Sequence, residues 1–89
     1  MAWKVSFSPT ALKQLAKLDK PVGDRILNFL HERVEKLEDP RQMGARLQGA
    51  LSEFWRYRVG GYRLICSLEH DRLVVLVLRI GHRSEVYKR

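Results

Sequence analysis

A single cysteine, Cys66, stands in the 89-residue chain, so neither a disulfide framework nor a cysteine-based zinc site is available. Long apolar runs are also missing. The longest, Leu73 to Leu78, is six residues and far too short to span a bilayer. The opening Met1-Ala2-Trp3-Lys4-Val5-Ser6 lacks the apolar stretch of a signal peptide, so a cytoplasmic, reducing compartment and no membrane partner are expected. There is no glycine-rich phosphate loop and no histidine pattern with metal-ligand spacing, so no cofactor and no metal are expected. Repeats, low-complexity segments and linkers are absent, which leaves one domain over residues 1–89. Acidic residues are scarce: 10 Asp and Glu stand against 17 Lys and Arg, a net charge of +7. Eleven of those cations are Arg, the planar and permanently charged donor suited to phosphate. The balance predicts a polyanionic partner, nucleic acid first and an acidic protein second.

What is present is regular apolar spacing. Trp3, Val5 and Phe7 alternate with Lys4 and Ser6, as in a half-buried strand. Ser8-Pro9 is an N-cap and first-turn pair, and Leu12, Leu15, Ala16 and Leu18 predict a short helix behind it. Val22, Ile26, Phe29, Leu30, Val34 and Leu37 predict a longer amphipathic helix from Pro21 to Leu37, ended by Asp39-Pro40. Residues 40–52 are polar and glycine-containing and read as a loop. Three strands follow: Phe54 to Val59, Tyr62 to Leu68 and Leu73 to Ile80. Gly60-Gly61 and a tight turn at His70-Asp71 join them, and Gly81 breaks the last. The last strand is apolar on both faces, which places it centrally in the sheet. The order β-α-α-β-β-β predicts an α+β fold, two N-terminal helices on a small, mostly antiparallel sheet.

With Gly60-Gly61 as a two-residue loop, Val59 pairs with Tyr62, Arg58 with Arg63, Tyr57 with Leu64 and Arg56 with Ile65. Cross-strand partners share a face and faces alternate. Trp55, Tyr57, Val59, Tyr62, Leu64 and Cys66 then lie under the helices, and Arg56, Arg58 and Arg63 gather on the other side. Arg58 opposite Arg63 is a repulsive pair, and Glu53, the nearest acid in sequence, falls on the opposite side by strand parity. Three guanidinium groups converging there read as a phosphate site rather than a solvated face. The tail adds His82, Arg83 and Tyr87 just past the last strand. Trp3, Trp55 and Phe29 read as core, Cys66 as a small apolar residue, and His31 and His70 as exposed. Apolar positions on both sheet faces invite an amphipathic, acidic binder.

Taken together, Ser8-Pro9 with Ala11-Leu12-Lys13, Asp39-Pro40, Trp55-Arg56-Tyr57-Arg58-Val59-Gly60-Gly61-Tyr62-Arg63-Leu64 and Gly81-His82-Arg83-Ser84-Glu85-Val86-Tyr87 resemble the RelE toxins of bacterial toxin–antitoxin systems over essentially the whole chain. The resemblance implies a RelE-like fold. It implies a metal-independent, ribosome-dependent endoribonuclease that cleaves mRNA in the A site. The ribose 2′-hydroxyl attacks, leaving a 2′,3′-cyclic phosphate and a 5′-hydroxyl. It also implies a RelB-like antitoxin that wraps the toxin, the pair together binding operator DNA. Residue by residue, the family's basic pair falls on Arg56 and Arg58, its phosphate-binding arginine on Arg63, its late arginine on Arg83 and its terminal tyrosine on Tyr87. Well-known members carry lysines where this chain has Arg56 and Arg58. The tail is shorter, so either His82 or Arg83 fills the late arginine's place. Arginine stays protonated, so the general base is Tyr87, acidified by neighbouring cations, or neutral His82, unless ribosomal RNA or water completes the transfer. The expected assignment has Tyr87 activating the 2′-hydroxyl and Arg83 serving the leaving oxygen. The competing readings are a ParE-like gyrase inhibitor on the same fold and an RNA-binding module that does not cleave.

Overall fold

The computed structural model describes residues 3–82. Strand β1 (Lys4–Phe7) leads through Ser8 into helix α1 (Pro9–Ala16). The Ser8 hydroxyl works in two directions. Its Oγ accepts the Ala11 N–H at 3.0 Å, capping the helix, and donates to the Leu78 carbonyl at 2.9 Å. Helix α1 stops at Ala16, so Leu18 lies beyond it. Helix α2 (Lys20–Phe29) has proline in its first turn and then widens into a π-helical turn, Leu30–Val34, within the span predicted as one α-helix. Its Glu35 N–H bonds the Leu30 carbonyl five residues back, at 2.9 Å. Ile26, Leu30 and Val34 are fully buried along the inward stripe.

The span predicted as loop is more structured. It holds 3₁₀ turns at Pro40–Gln42 and Gly49–Leu51, with a two-residue strand, β2 (Ala45–Arg46), between them. Only two residues pair, too few for a periodic signal. The segment is held instead by longer-range bonds. Leu47 N–H donates to the Phe54 carbonyl at 3.1 Å, Arg46 Nε to the Ser52 carbonyl at 2.7 Å, and the Tyr57 hydroxyl to the Pro40 carbonyl at 2.9 Å.

Strands β3 (Trp55–Val59), β4 (Tyr62–Glu69) and β5 (Val74–His82) complete a five-stranded sheet ordered β1-β5-β4-β3-β2. Every pairing is antiparallel except β1 with β5. Strand β5 is interior, as its apolar run predicts, and it continues through Gly81 rather than stopping there. The β4–β5 link is a four-residue loop, with Leu73 at φ 54°, rather than a tight turn at His70-Asp71. Both helices pack on one face, over a core of Trp3, Ala11, Ile26, Leu30, Val34, Tyr57, Val59, Leu64, Cys66, Val75, Val77 and Ile80. Trp55 stays outside that core, half-buried, with the Arg46 guanidinium 5.9 Å from its ring centre.

A bulge interrupts β4–β5. Ile65 pairs with Arg79 but Cys66 pairs with Val77, so Leu78 has no opposite number. The inward positions of β5 are therefore Val75 and Val77, then Ile80. Past the bulge the parity of β5 is reversed.

Candidate functional site

The β3–β4 hairpin has the register the sequence predicts: Arg58 directly opposite Arg63, Arg56 opposite Ile65, Val59 opposite Tyr62. The three arginines share the face turned away from the helices, since their strand neighbours Tyr57, Val59 and Leu64 fill the core. Directly opposed residues of an antiparallel pair have Cβ atoms about 5 Å apart, so Arg58 and Arg63 start side by side. Arg58 is exposed, while Arg56 and Arg63 are half-buried, with the Arg56 Nε shielded from solvent.

The surrounding acids do little to quench Arg58. Among the described residues, the ion-paired carboxylates are Asp24 with Lys20, Glu32 with Lys36, Glu35 with His31, Asp39 with Arg41 and Glu69 with Arg72. None reaches Arg58. Glu53 lies in the turn before β3 begins at Trp55, so strand parity does not place it, and it forms no ion pair among the described residues.

The hairpin tip is built by two glycines with different duties. Gly60 takes φ +60°, while Gly61 does not use the left-handed region. Positive φ at the first central position alone is the type II′ pattern. A Cβ on Gly60 would also stand 3.2 Å from Nη1 of Arg25, reaching over from α2.

His82 pairs with Tyr62, and its ring meets the tyrosine edge-on at 5.7 Å. Gly81, not His82, lies opposite Arg63. The bulge is the reason: counted straight back from Leu76 and Leu78, His82 would share the arginine face, and the extra residue turns it to the Tyr62 side. The structure thus brings Arg56, Arg58 and Arg63 together and sets His82 across the sheet end from them. Arg83 and Tyr87 lie outside the described residues.

Other reactive groups are occupied structurally. Cys66 is fully buried, and burial pushes its thiol well above the usual range, which keeps it an inert thiol. Burial likewise raises the Tyr57 phenol, whose hydroxyl is spent on Pro40. Among the described residues no three His, Cys, Asp or Glu side chains gather as metal ligands. No helix there is long and apolar enough to cross a membrane.

Sequence reasoning missed Arg25 and Arg33. They are exposed on α2 and its π-helical extension, eight residues apart with Phe29 between them. The spacing i, i+4, i+8 was the available signal that they share a side of the helix.

Comparison with known proteins agrees with this architecture. A family model for the ParE toxin of type II toxin–antitoxin systems (parDE) matches residues 5–87. The chain is 36% identical over 90 residues to the mRNA interferase toxin RelE of Escherichia coli K12, covering 98% of this chain and 92% of that one. It is 28% identical over 89 residues to toxin RelG of Mycobacterium tuberculosis, across the full length of both. The toxin–antitoxin complex RelBE2 from Mycobacterium tuberculosis matches its fold with a TM-score of 0.85 at 26% identity, over 93% of this chain and 100% of that one. The β-α-α-β-β-β frame with its added strand, the arginine hairpin and these full-length relatives converge on one conclusion: the chain belongs to the RelE family of toxins, within the RelE/ParE group of type II toxin–antitoxin systems.

Proposed function

We propose that this toxin is an endoribonuclease that cleaves mRNA in the ribosomal A site of the cytoplasm. The observation that carries the reading is the register-paired Arg58 and Arg63 with Arg56 beside them, on the sheet face opposite the core. A relative bearing the name mRNA interferase supports it. In the proposed reaction the ribose 2′-oxygen forms a bond to the adjacent phosphorus and the bond from phosphorus to the 5′-oxygen breaks. The products are a 2′,3′-cyclic phosphate and a 5′-hydroxyl. Use of the 2′-hydroxyl restricts the substrate to RNA. Charge builds on the phosphoryl oxygens in the transition state, and preplaced guanidinium groups stabilise it there. Arg56, Arg58 and Arg63 take that role, Arg83 stabilises the departing 5′-oxygen as a hydrogen-bond donor, and water gives that oxygen the proton that makes it the 5′-hydroxyl. Tyr87, as the phenolate that neighbouring cations favour, accepts the 2′-hydroxyl proton. His82 is the competing base, and its register with Tyr62 favours Tyr87 for the task.

The chain is proposed to be held inactive by a RelB-like antitoxin, as the RelBE2 relative is a toxin–antitoxin complex. Together with that antitoxin it is proposed to bind operator DNA. An apolar groove of about 340 Å³ on the sheet face opposite the core, lined by Leu47, Leu51, Phe54, Ile65 and Leu78 and edged by Arg79 and by Thr10 of α1, suits an amphipathic, acidic segment.

Primer extension on translated and on free mRNA tests the reading. Cuts at A-site codons only in the translated sample, abolished by Arg63→Ala and by Tyr87→Phe, are expected. Intact mRNA beside broken DNA would replace it with gyrase poisoning. Intact mRNA with salt-sensitive RNA binding would leave a non-cleaving binder.

A further inference from the structure

Two adjoining hollows run along the outer edge of β3, between that strand and α2. One, of about 380 Å³, includes Arg25, Phe29, Arg33, Arg58 and Gly60 in its lining. The other, of about 400 Å³, shares Phe29, Arg33 and Arg58 and continues to Arg56 and Ala45. Three shared residues make them one trough, running from the hairpin tip toward β2. Its cations come from two sides: Arg56 and Arg58 from β3, and Arg25 and Arg33 from the helix, which the hairpin does not supply.

Three features fit this trough to a nucleic-acid strand. Its cations are all arginines, and among the described residues Arg25, Arg33 and Arg58 make no ion pair. Glu32 also lines it but is held by Lys36 at 3.0 Å. Phe29 offers an aromatic surface midway, where a base can stack while its flanking phosphates meet guanidinium groups. Eight residues of helix, the last four in the wider π-helical turn, put Arg25 and Arg33 up to about 12 Å apart along the axis, so they grip separate phosphates.

We infer that the α2–β3 trough is an RNA-backbone subsite, in which Arg25 and Arg33 hold phosphates of a strand continuous with, or packed against, the one gripped by Arg56, Arg58 and Arg63. The inference rests on the reading of this toxin as acting on RNA. It adds a binding surface on the helical side that the cleavage chemistry does not require.

A purely protective role makes a different prediction. Strand β2 pairs only with Trp55 and Arg56, so the edge of β3 beyond them has no strand partner among the described residues, and charge beside such an edge discourages strand addition. Arginines placed only for that purpose would leave RNA affinity unchanged when removed.

The test measures binding affinity against salt for the wild type and for Arg25→Ala/Arg33→Ala, with two probes that cannot be cut. One is a short single-stranded 2′-O-methyl oligoribonucleotide. The other is a ribosome programmed with a message that is 2′-O-methylated at its A-site codon. Removing an arginine that neutralises one phosphate of a single strand lowers the salt slope by about 0.7, so the double variant is expected to fall by about 1.4. A fall on the oligonucleotide assigns the trough to the message, and a fall on the ribosome alone assigns it to ribosomal RNA. Glu32→Gln is expected to tighten binding in the same assay. Both arginines are exposed, and circular dichroism checks that the fold is kept. An unchanged slope on both probes overturns the inference, as does self-association of the double variant with RNA binding intact. Weakened binding of an acidic peptide with both RNA slopes unchanged also overturns it. Cleavage by the wild type is scored separately, so a toxin that binds but does not cut fails the proposed function and leaves the subsite standing.

Discussion

Arg58 and Arg63 face each other across the β3–β4 hairpin as direct partners, two positive charges at one ladder position. Sheet energetics alone disfavours that pairing, by a few tenths of a kcal/mol up to about 1 kcal/mol. The phosphate-binding role proposed for these arginines gives a reason to place them at one ladder position. Arg58→Gln is therefore expected to leave the fold intact and to raise stability slightly, by up to about 0.5 kcal/mol. Cleavage of translated mRNA is expected to fall by about a hundredfold, the usual loss when one preplaced donor to a developing oxyanion is removed. Urea melts and primer extension on the same preparation check both halves. A variant that loses stability and activity in step would show Arg58 to be a structural residue.

The two glycines of the hairpin should respond differently. Gly60 sits at φ +60°, and an alanine there both strains the backbone and meets the Arg25 guanidinium. Gly60→Ala is expected to cost about 1–2 kcal/mol. An alanine at Gly61 would bring its Cβ 3.4 Å from His82 Nε2, ordinary contact, so Gly61→Ala should change stability by less than about 0.5 kcal/mol. Denaturant midpoints of the two variants are the measurement, and equal costs would contradict the type II′ geometry.

The hairpin was legible in the sequence because a two-residue glycine link fixes register, and register fixes which side each arginine takes. The helices were legible from their apolar spacing, though not the π-helical turn at Leu30–Val34, which keeps the same inward residues while changing the bonding. Strand β2 was not legible. Ala45 and Arg46 pair because Tyr57, Phe54 and Ser52 hold the surrounding segment through long-range bonds, and no local pattern encodes that. The placement of His82 failed to emerge for a related reason. A single extra residue at Leu78 reverses the parity of everything after it, and apolar residues on both faces of β5 hide where the slip occurs. Arg25 and Arg33 carried a helical spacing, but their relation to Arg58 is tertiary.

Acid should loosen the joint between the helical layer and the sheet. The Glu35 carboxylate accepts the Val5 N–H at 2.7 Å, occupying a donor on the edge strand β1, and receives His31 Nδ1 at 3.2 Å. Partial burial pushes its pKa up, but the Val5 and His31 bonds outweigh that and leave it below the usual carboxylate range. Asp39 is held lower still, at about 2, by hydrogen bonds from the Arg41 side chain and backbone. Groups depressed in the folded state contribute stability above their unfolded pKa and lose it as pH falls through the folded value. Stability is thus expected to hold from neutrality to about pH 5 and to decline from there towards about pH 2. Glu35→Gln should flatten the upper part of that decline and Asp39→Asn the lower part. Urea midpoints measured across the range decide it, and parallel curves for wild type and both variants would remove these carboxylates from the account.

The apolar groove makes a prediction about the antitoxin that is independent of cleavage. Leu51 is 48% exposed beside Leu47, Phe54, Ile65 and Leu78, which line the same groove, a contiguous apolar patch of the kind a partner covers. Ile65 and Leu78 form its floor, with Ile65 on the same sheet face as the arginine cluster but further from the hairpin tip. A partner whose apolar face fills this groove loses that burial when a charge is introduced, and its acidic face keeps only Arg79. Leu51→Glu is expected to weaken binding of a RelB-like antitoxin at least tenfold, equivalent to about 1.4 kcal/mol. The toxin's own fold should hold, because Leu51 lies outside the core. In cells the variant should escape neutralisation, so growth arrest persists when the antitoxin is co-expressed. Retained antitoxin affinity in a titration with purified proteins would place the antitoxin elsewhere on the surface.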